Sequence, residues 1–453
     1  MGHTHHFTKE QLNERFEMPG RLRNLAFGLI GTGLVLLLAG IFLGGSSSAE
    51  KPAAPATEEH HSSVTHTPDA QPVSDTDEAH GEEAHETASV GKRVLANLLL
   101  CSVYFLSIGM GAMFFLTVHR IGNAGWHTAI MRVPEAITVG WLPVGVVGFA
   151  AMFFFLGNIY EWAHIPPGVD ALIDTKRAYL NEPFFIGRTL LFFAIWIGAA
   201  LLLRRLSLRQ DEEGGLSHFK RSEGISAAFV ILFAISYSFF AFDWLKSLEP
   251  HWFSTIFGVQ FFGGSMVIAN VTIYMILRYL QKQGYMQYVN EAHYHDLGKY
   301  TFGFSIFWAY TWLAQFLLIW YSNIPEEGIY YVKRYRTEDH EYLGYAFFFF
   351  GNILVNFLVP FLGLMTRDAK RKLATFLPVA VVLIYGHWHD LFLMIMPGTV
   401  GQNPGIGLIE IGMFAAFAGL FIFLVFRALG RANLAPVQHP YLEESLHHTT
   451  GPV

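Results

Sequence analysis

Apolar residues along this chain fall in long unbroken blocks, not in short alternating runs. Ten such blocks lie near 25–44, 95–118, 137–159, 184–203, 225–246, 259–280, 301–322, 342–365, 374–396 and 405–427. Each is long enough to cross about 30 Å of hydrocarbon at about 1.5 Å of helix per residue. Polar, Pro- and Gly-containing segments separate them. The pattern predicts an all-α integral membrane protein of ten transmembrane helices. Its expected organisation is an N-terminal segment (1–24), a first helix (25–44), a loop (45–92), two helical regions (93–246 and 247–396), a tenth helix (397–430) and a tail (431–453). The first apolar block is longer than a signal-peptide core and follows a polar stretch, so it is expected to be a retained helix.

The tract from Gly45 to Gly91 is rich in Ser, Pro, His, Glu and Asp, with Lys51 its one Lys or Arg. Such a composition cannot bury a core and predicts a disordered acidic loop. Cations decide orientation. About twenty Lys and Arg fall on the side of the termini and about ten on the other, so both termini are expected in the cytoplasm and the acidic loop outside. An echo links the fifth and ninth blocks: Phe240-Ala-Phe-Asp243 and Trp388-His-Asp390 each place an aspartate seven residues before a proline, Pro250 and Pro397. Helices four apart run the same way, which predicts two parallel four-helix bundles, spans two to five and six to nine, flanked by the first and tenth.

Composition narrows the function. Of 453 residues, 52% are hydrophobic and only 15% charged, which excludes an ordinary soluble enzyme. The single cysteine, Cys101, can form neither an intrachain disulfide nor a four-thiolate cluster. Twenty-one histidines raise the question of haem. Most lie in the tail, the acidic loop or the connections, and His387 and His389 point apart on one helix, so no facing pair is expected. The loop histidines, His60, His61, His66, His80 and His85, read as part of a solvated tract. No phosphate-binding or nucleic-acid motif is present.

A charge deep in a bilayer is expensive, so each one needs a partner or a function. Glu161 and His164 end the third span at i,i+3 spacing, Arg188 lies one turn into the fourth, and Asp243 and Lys246 form another i,i+3 pair at the end of the fifth. In the ninth span His387 and Asp390 share a face, His389 points elsewhere, and Glu410 begins the tenth. One reading makes these helix-end pins and interhelical glue. The other makes them a proton relay, because His titrates near neutrality and a desolvated carboxylate approaches it. Tyr237, Ser236, Ser238, Asn270, Thr272, Tyr310, Gln315, Asn352 and Asn356 would extend such a path. The segment from Trp126 to Ile137, with Arg132 and Glu135, is expected to lie along the membrane interface.

Four runs then carry a resemblance: Lys176–Arg188, Asp243–Gly258, Asp296–Tyr300 and Leu318–Glu327. In this order they resemble the NrfD-like membrane subunits of bacterial alternative complex III, over about 95–430. The resemblance implies a quinol-oxidising respiratory assembly of the inner membrane. Its electrons pass through iron–sulfur clusters and c-type haems in partner subunits to a cytochrome or a terminal oxidase. It also implies two related ten-span subunits, the larger ActC type taken to hold quinol. The length and the acidic loop are closer to the smaller ActF type, for which a supporting or proton-conducting role without a cofactor of its own is implied. Carried over, Glu161, His164, Arg188, Asp243 and Lys246 occupy the bundle that holds quinol in the larger relative, and Lys246 is expected to neutralise Asp243. A second quinone-binding subunit, and outside the family a secondary transporter or ion channel, are the alternatives.

Overall fold

The computed structural model describes residues 12–48, 89–335, 344–401 and 404–450. Residues 49–88, which hold most of the acidic tract with its histidines and Lys51, and the cations Lys9 and Arg336 lie outside the described residues. Within them the chain is helical, apart from turns and one isolated bridge between Arg15 and Asn433. Among the described residues, ten helices are long and apolar enough to cross a membrane. They are α1 (Gly20–Ser48), α2 (Val90–Ile121), α3 (Arg132–Met152), α4 (Glu182–Glu213), α5 (Ser217–Trp244), α6 (Phe257–Lys282), α7 (Glu291–Ser322), α8 (Gly344–Gly363), α9 (Leu373–Thr399) and α10 (Leu408–Leu429).

Local chemistry explains several ends. Asn181 caps α4 by accepting from the backbone N–H of Phe184, with Pro183 in the first turn where no amide partner is needed. Asn290 caps α7 by accepting from Ala292 and His293, and Asn323 ends that helix in the left-handed conformation at φ 49°. Helix α8 is interrupted by a π-helical turn, Leu354–Leu358. Pro360 lacks the N–H that the carbonyl four residues earlier would accept, and the register loosens there.

The helices form two closed rings of neighbours: α2, α3, α4 and α5 in one, α6, α7, α8 and α9 in the other. Helix α2 joins the rings by packing on both α6 and α9. Helix α1 packs along α10, where a Cβ at Gly412 would lie 2.6 Å from the Leu37 nitrogen and 2.7 Å from the Gly33 oxygen. Only glycine permits that approach.

The described segments nearest the two ends of the chain meet on one side, here the terminal face: Leu434 donates its N–H to the Glu14 carbonyl at 2.8 Å. The C-terminal segment folds back over this face, with the Ser445 hydroxyl accepting from the Ala129 N–H at 2.9 Å and donating to the Trp126 carbonyl at 2.6 Å. This overturns the interfacial reading of Trp126–Ile137. The segment is a 3-10 turn (Gly125–Ile130) leading into α3, and Arg132 and Glu135 are buried. They face inward because their charge is matched there. Glu135 accepts from Arg120 and Arg132 at 2.7 Å each and pairs with Arg204, while Arg132 also reaches Asp211.

Candidate functional site

Helix α9 brings His387, Trp388, His389 and Asp390 into the interior on successive faces, all buried. Asp390 lies nine residues before the end of α9 at Thr399, about 14 Å of helix from that end. One carboxylate oxygen accepts from the Trp308 indole N–H at 2.9 Å and the other from the Asn352 amide at 2.8 Å. Asn356 continues the line by donating to the Asn352 side-chain oxygen at 2.7 Å and to the Gly386 carbonyl at 2.8 Å. The π turn of α8 contains Asn356, and Gly386 makes room for it: a Cβ there would sit 2.2 Å from the Asn356 side-chain oxygen. No cation pairs with Asp390 among the described residues. Its charge is met by two neutral donors only, so the carboxyl can gain or lose a proton without breaking an ion pair.

His387 is not hydrogen-bonded to Asp390. Both meet Trp308 instead, His387 edge-on at 5.9 Å between ring centres, and the His387 Nε2 is buried without a partner. His389 lies apart, stacked on Tyr385 at 5.6 Å and edge-on to Phe348 at 5.4 Å.

Asp243 is the opposite case, and here the structure corrects the sequence reading. Its partner is Arg188, whose Nε and Nη2 each donate to one carboxylate oxygen at 3.0 Å in a parallel fork. Arg188 also donates to the Tyr179 carbonyl at 2.9 Å and lies 3.8 Å above the Tyr179 ring. Lys246 makes no ion pair with Asp243. It sits past the end of α5, in a 3-10 turn, with its ammonium 5.7 Å from the Phe242 ring. Beyond Trp244 the backbone leaves the α-helical register, so the i,i+3 spacing no longer puts the two side chains on one face. Tyr237, buried on α5, shares a 2.6 Å hydrogen bond with Ser265 and does not join the Asp390 line.

Glu161 and His164 are exposed on a four-residue helix after the third span, lining a polar cleft with Lys92, Glu249, His251 and Lys333 on the face opposite the termini. Glu410 is locked in place, accepting from Arg93 and Asn97 at 2.8 Å each and from the Gly407 N–H at 2.7 Å. It pins the start of α10. Near the cleft, the Ile173 N–H and His251 hold the Asp170 carboxyl below the usual range, and burial lowers Lys176.

Sequence reasoning missed two constellations. Arg334 is buried: it donates to Glu249 at 2.6 Å and to the Leu393 carbonyl at 2.9 Å, and so ties the short helix Pro325–Tyr335 to α9. Glu249 follows Asp243 within one of the four resembling runs, yet nothing in its spacing points to Arg334, 85 residues away. Trp308 is the second. Its indole N–H is the donor that Asp390 needs, and an aromatic residue in a span reads as lipid-facing or core. In comparisons with known proteins the chain matches no family model and no curated relative.

Proposed function

We propose that this chain is an integral membrane subunit of a quinol:electron-acceptor oxidoreductase of the alternative complex III type. It holds no redox centre of its own, supports the membrane arm and handles protons at Asp390. The observation that carries the proton role is the set of partners around that carboxyl: two neutral N–H donors, a line of amides leading away along α8, and no cation among the described residues. The two rings of helix neighbours support the reading as two four-helix bundles, α2–α5 and α6–α9, flanked by α1 and α10. The excess of cations on the terminal face supports a bacterial cytoplasmic membrane with both termini inside. The partners are then an ActC-type membrane subunit, iron–sulfur and cytochrome c subunits, and a terminal oxidase, with haem c and the clusters in those subunits and quinol in the assembly.

Asp390→Asn tests the proton role. The amide keeps an acceptor for Trp308 but cannot exchange a proton. The variant assembly is expected to oxidise quinol with an artificial acceptor while protons moved per electron fall in proteoliposomes. Unchanged stoichiometry would remove Asp390 from the proton path. A secondary transporter or channel is the second reading, favoured by the π turn of α8, since transporters break helices at mid-membrane beside polar sites. Mild-detergent purification separates the two: haem absorbance and an iron–sulfur signal following this chain support the oxidoreductase, and their loss supports the transporter.

A further inference from the structure

Helix α1 packs along α10 and lightly on α2. A groove of about 360 Å³ separates it from α6 and α9, with Leu25, Ile108, Met275 and Phe414 among its walls. Leu25 is 54% exposed, so the groove opens sideways, toward the surface the membrane would cover. Its depth follows from the helices that line it. Along α10 the lining runs from Phe426, close to the terminal-face end at Leu429, back to Phe414, 12 of the 22 residues of that helix and about 18 Å of rise. On α6 it starts at Tyr279 and on α1 at Leu22, both within a turn of the terminal-face end of their helix. The groove thus begins at the terminal face and crosses roughly half of the about 30 Å of hydrocarbon. A spanning helix from another subunit needs the full thickness, whereas an acyl chain needs one leaflet.

The hydroxyls deep in the groove are already satisfied. Tyr104 donates to the Ile384 carbonyl at 2.9 Å, and Thr272 donates to the Ile268 carbonyl at 2.7 Å. An occupant with polar groups along its length would bury them without partners there, and a hydrocarbon chain would not. The mouth is different. The three helices that frame it carry exposed cations, Arg21 and Arg23 on α1, Lys282 on α6 and Arg427 on α10, none of them in an ion pair among the described residues. Glu17 is the exposed acid beside them. Arg21 lies one turn before Leu25 and Lys282 one turn beyond Tyr279, which puts both on the faces that line the groove. A single hydrocarbon chain below and unpaired positive charge above call for a lipid with a negative headgroup.

We propose that the groove between α1, α6 and α10 binds an anionic phospholipid of the phosphatidylglycerol class, with one acyl chain seated among Ile108, Met275 and Phe414 and the phosphate held between Arg21 and Lys282. The Tyr279 hydroxyl donates to the headgroup at the mouth. The lipid then joins α1 to α6, as direct packing joins α1 to α10. The site rests on the groove and its cations, not on the respiratory reading, and holds equally if the chain is a transporter.

The test offers the full chain, in mild detergent, equal amounts of phosphatidylglycerol and phosphatidylcholine that carry a diazirine in the acyl chain, and reads bound lipid by native mass spectrometry. Phosphatidylglycerol is expected to be retained with a preference of about tenfold, and its diazirine to label peptides covering 257–282 or 408–429. Arg21→Gln/Lys282→Gln removes the two charges and is expected to bring the preference to within about threefold, with the labelled peptides unchanged. Lys220→Gln/Arg221→Gln, which removes two exposed cations at the start of α5 away from the groove, is expected to keep it. Ala418→Phe fills the groove and is expected to abolish the label there for both lipids. Should that variant fail to fold, the charge variants decide. Equal retention of the two lipids by the wild type, an equal loss of preference in the α5 control, or label spread evenly over the apolar helices would overturn the proposal. So would a dimer whose contact shields the groove from the diazirine, which would give the groove to a second copy.

Discussion

Replacing either member of the Arg188–Asp243 fork is expected to be among the most damaging single changes in the first ring of helices. Both oxygens of Asp243 are used at 3.0 Å and its side chain is buried. Asp243→Leu leaves a guanidinium in a low-dielectric site, held by the Tyr179 carbonyl and by the faces of the Tyr179 and Phe184 rings, with no counter-charge. Breaking a buried pair from one side costs about 3–5 kcal/mol, whereas replacing both members by apolar groups is often close to neutral. Arg188→Met loses as much from the other side, plus about 1 kcal/mol for the bond to Tyr179. The double variant Arg188→Met/Asp243→Leu is therefore expected to be no worse than either single, a coupling of at least about 3 kcal/mol. The rival partner gives the control. Lys246→Met combined with Asp243→Leu should be additive to within about 0.5 kcal/mol, because the two side chains do not meet. Equilibrium unfolding in mixed micelles, followed by helicity, reads all five variants. An Asp243–Lys246 coupling as large as that of Asp243–Arg188 would refute the assignment, since the sequence spacing would then describe the pair better than the fork does.

Two further predictions concern packing and pH. Gly412→Val would drive a side chain into the backbone of α1 at Leu37 and Gly33, at a cost of about 1–3 kcal/mol. Gly28→Ala on α1, where nothing lies within 4 Å, should be neutral or slightly stabilising; equal damage from both, read as thermal unfolding, would mean α1 is not seated on α10. On the terminal face, burial and then the nearby Arg120 charge hold the His439 imidazole down at about 4 against an ordinary 6.5. The folded chain thus binds fewer protons than the unfolded one between those values, and stability falls as pH drops below about 6.5, by up to about 1.4 kcal/mol per pH unit. His439→Gln should flatten the fall in melting temperature between pH 7.5 and 5.5, and parallel curves for the two proteins would refute the point.

The spans were legible because a membrane helix is written locally: twenty apolar residues and a capped end suffice, and all ten expected blocks coincide with helices of spanning length. Partners were legible only where they lie within a turn or so of each other, and even there spacing misled. Asp243 and Lys246 sit at i,i+3 in the sequence, but the helix ends between them. Arg188 is 55 residues from Asp243 and Arg334 is 85 from Glu249, distances over which only the packing of helices brings groups together. The segment around Arg132 failed for the same reason. An amphipathic stretch with a basic residue suits a membrane surface or a buried counter-charge equally well, and Asp211, on a different helix, settles it.

The two aspartates of the echo make the case sharpest. By sequence Asp243 and Asp390 are equivalent, each near the end of an apolar helix and each seven residues before a proline. A pattern of that kind reports where a residue sits along its helix and says nothing of what faces it. In the first ring α4 presents Arg188 to the carboxylate; in the second, α7 presents Trp308 and α8 presents Asn352. An aspartate forked to a guanidinium must lose that pair before it can accept a proton, and the buried cation left behind opposes the step. An aspartate between an indole and an amide has no such obstacle, and its donors can stay in place while a proton arrives. Asp243→Asn and Asp390→Asn should therefore damage different things. The first is expected to lower stability by the larger amount, leaving the proton-to-electron ratio of surviving assemblies intact; the second, whose amide keeps one acceptor and sets an NH2 against the other donor, is expected to cost about 1–3 kcal/mol while the ratio falls. Measuring yield, unfolding and stoichiometry for both in parallel decides it, and the same order of damage at the two positions would show that the neighbours of an aspartate do not set its role here.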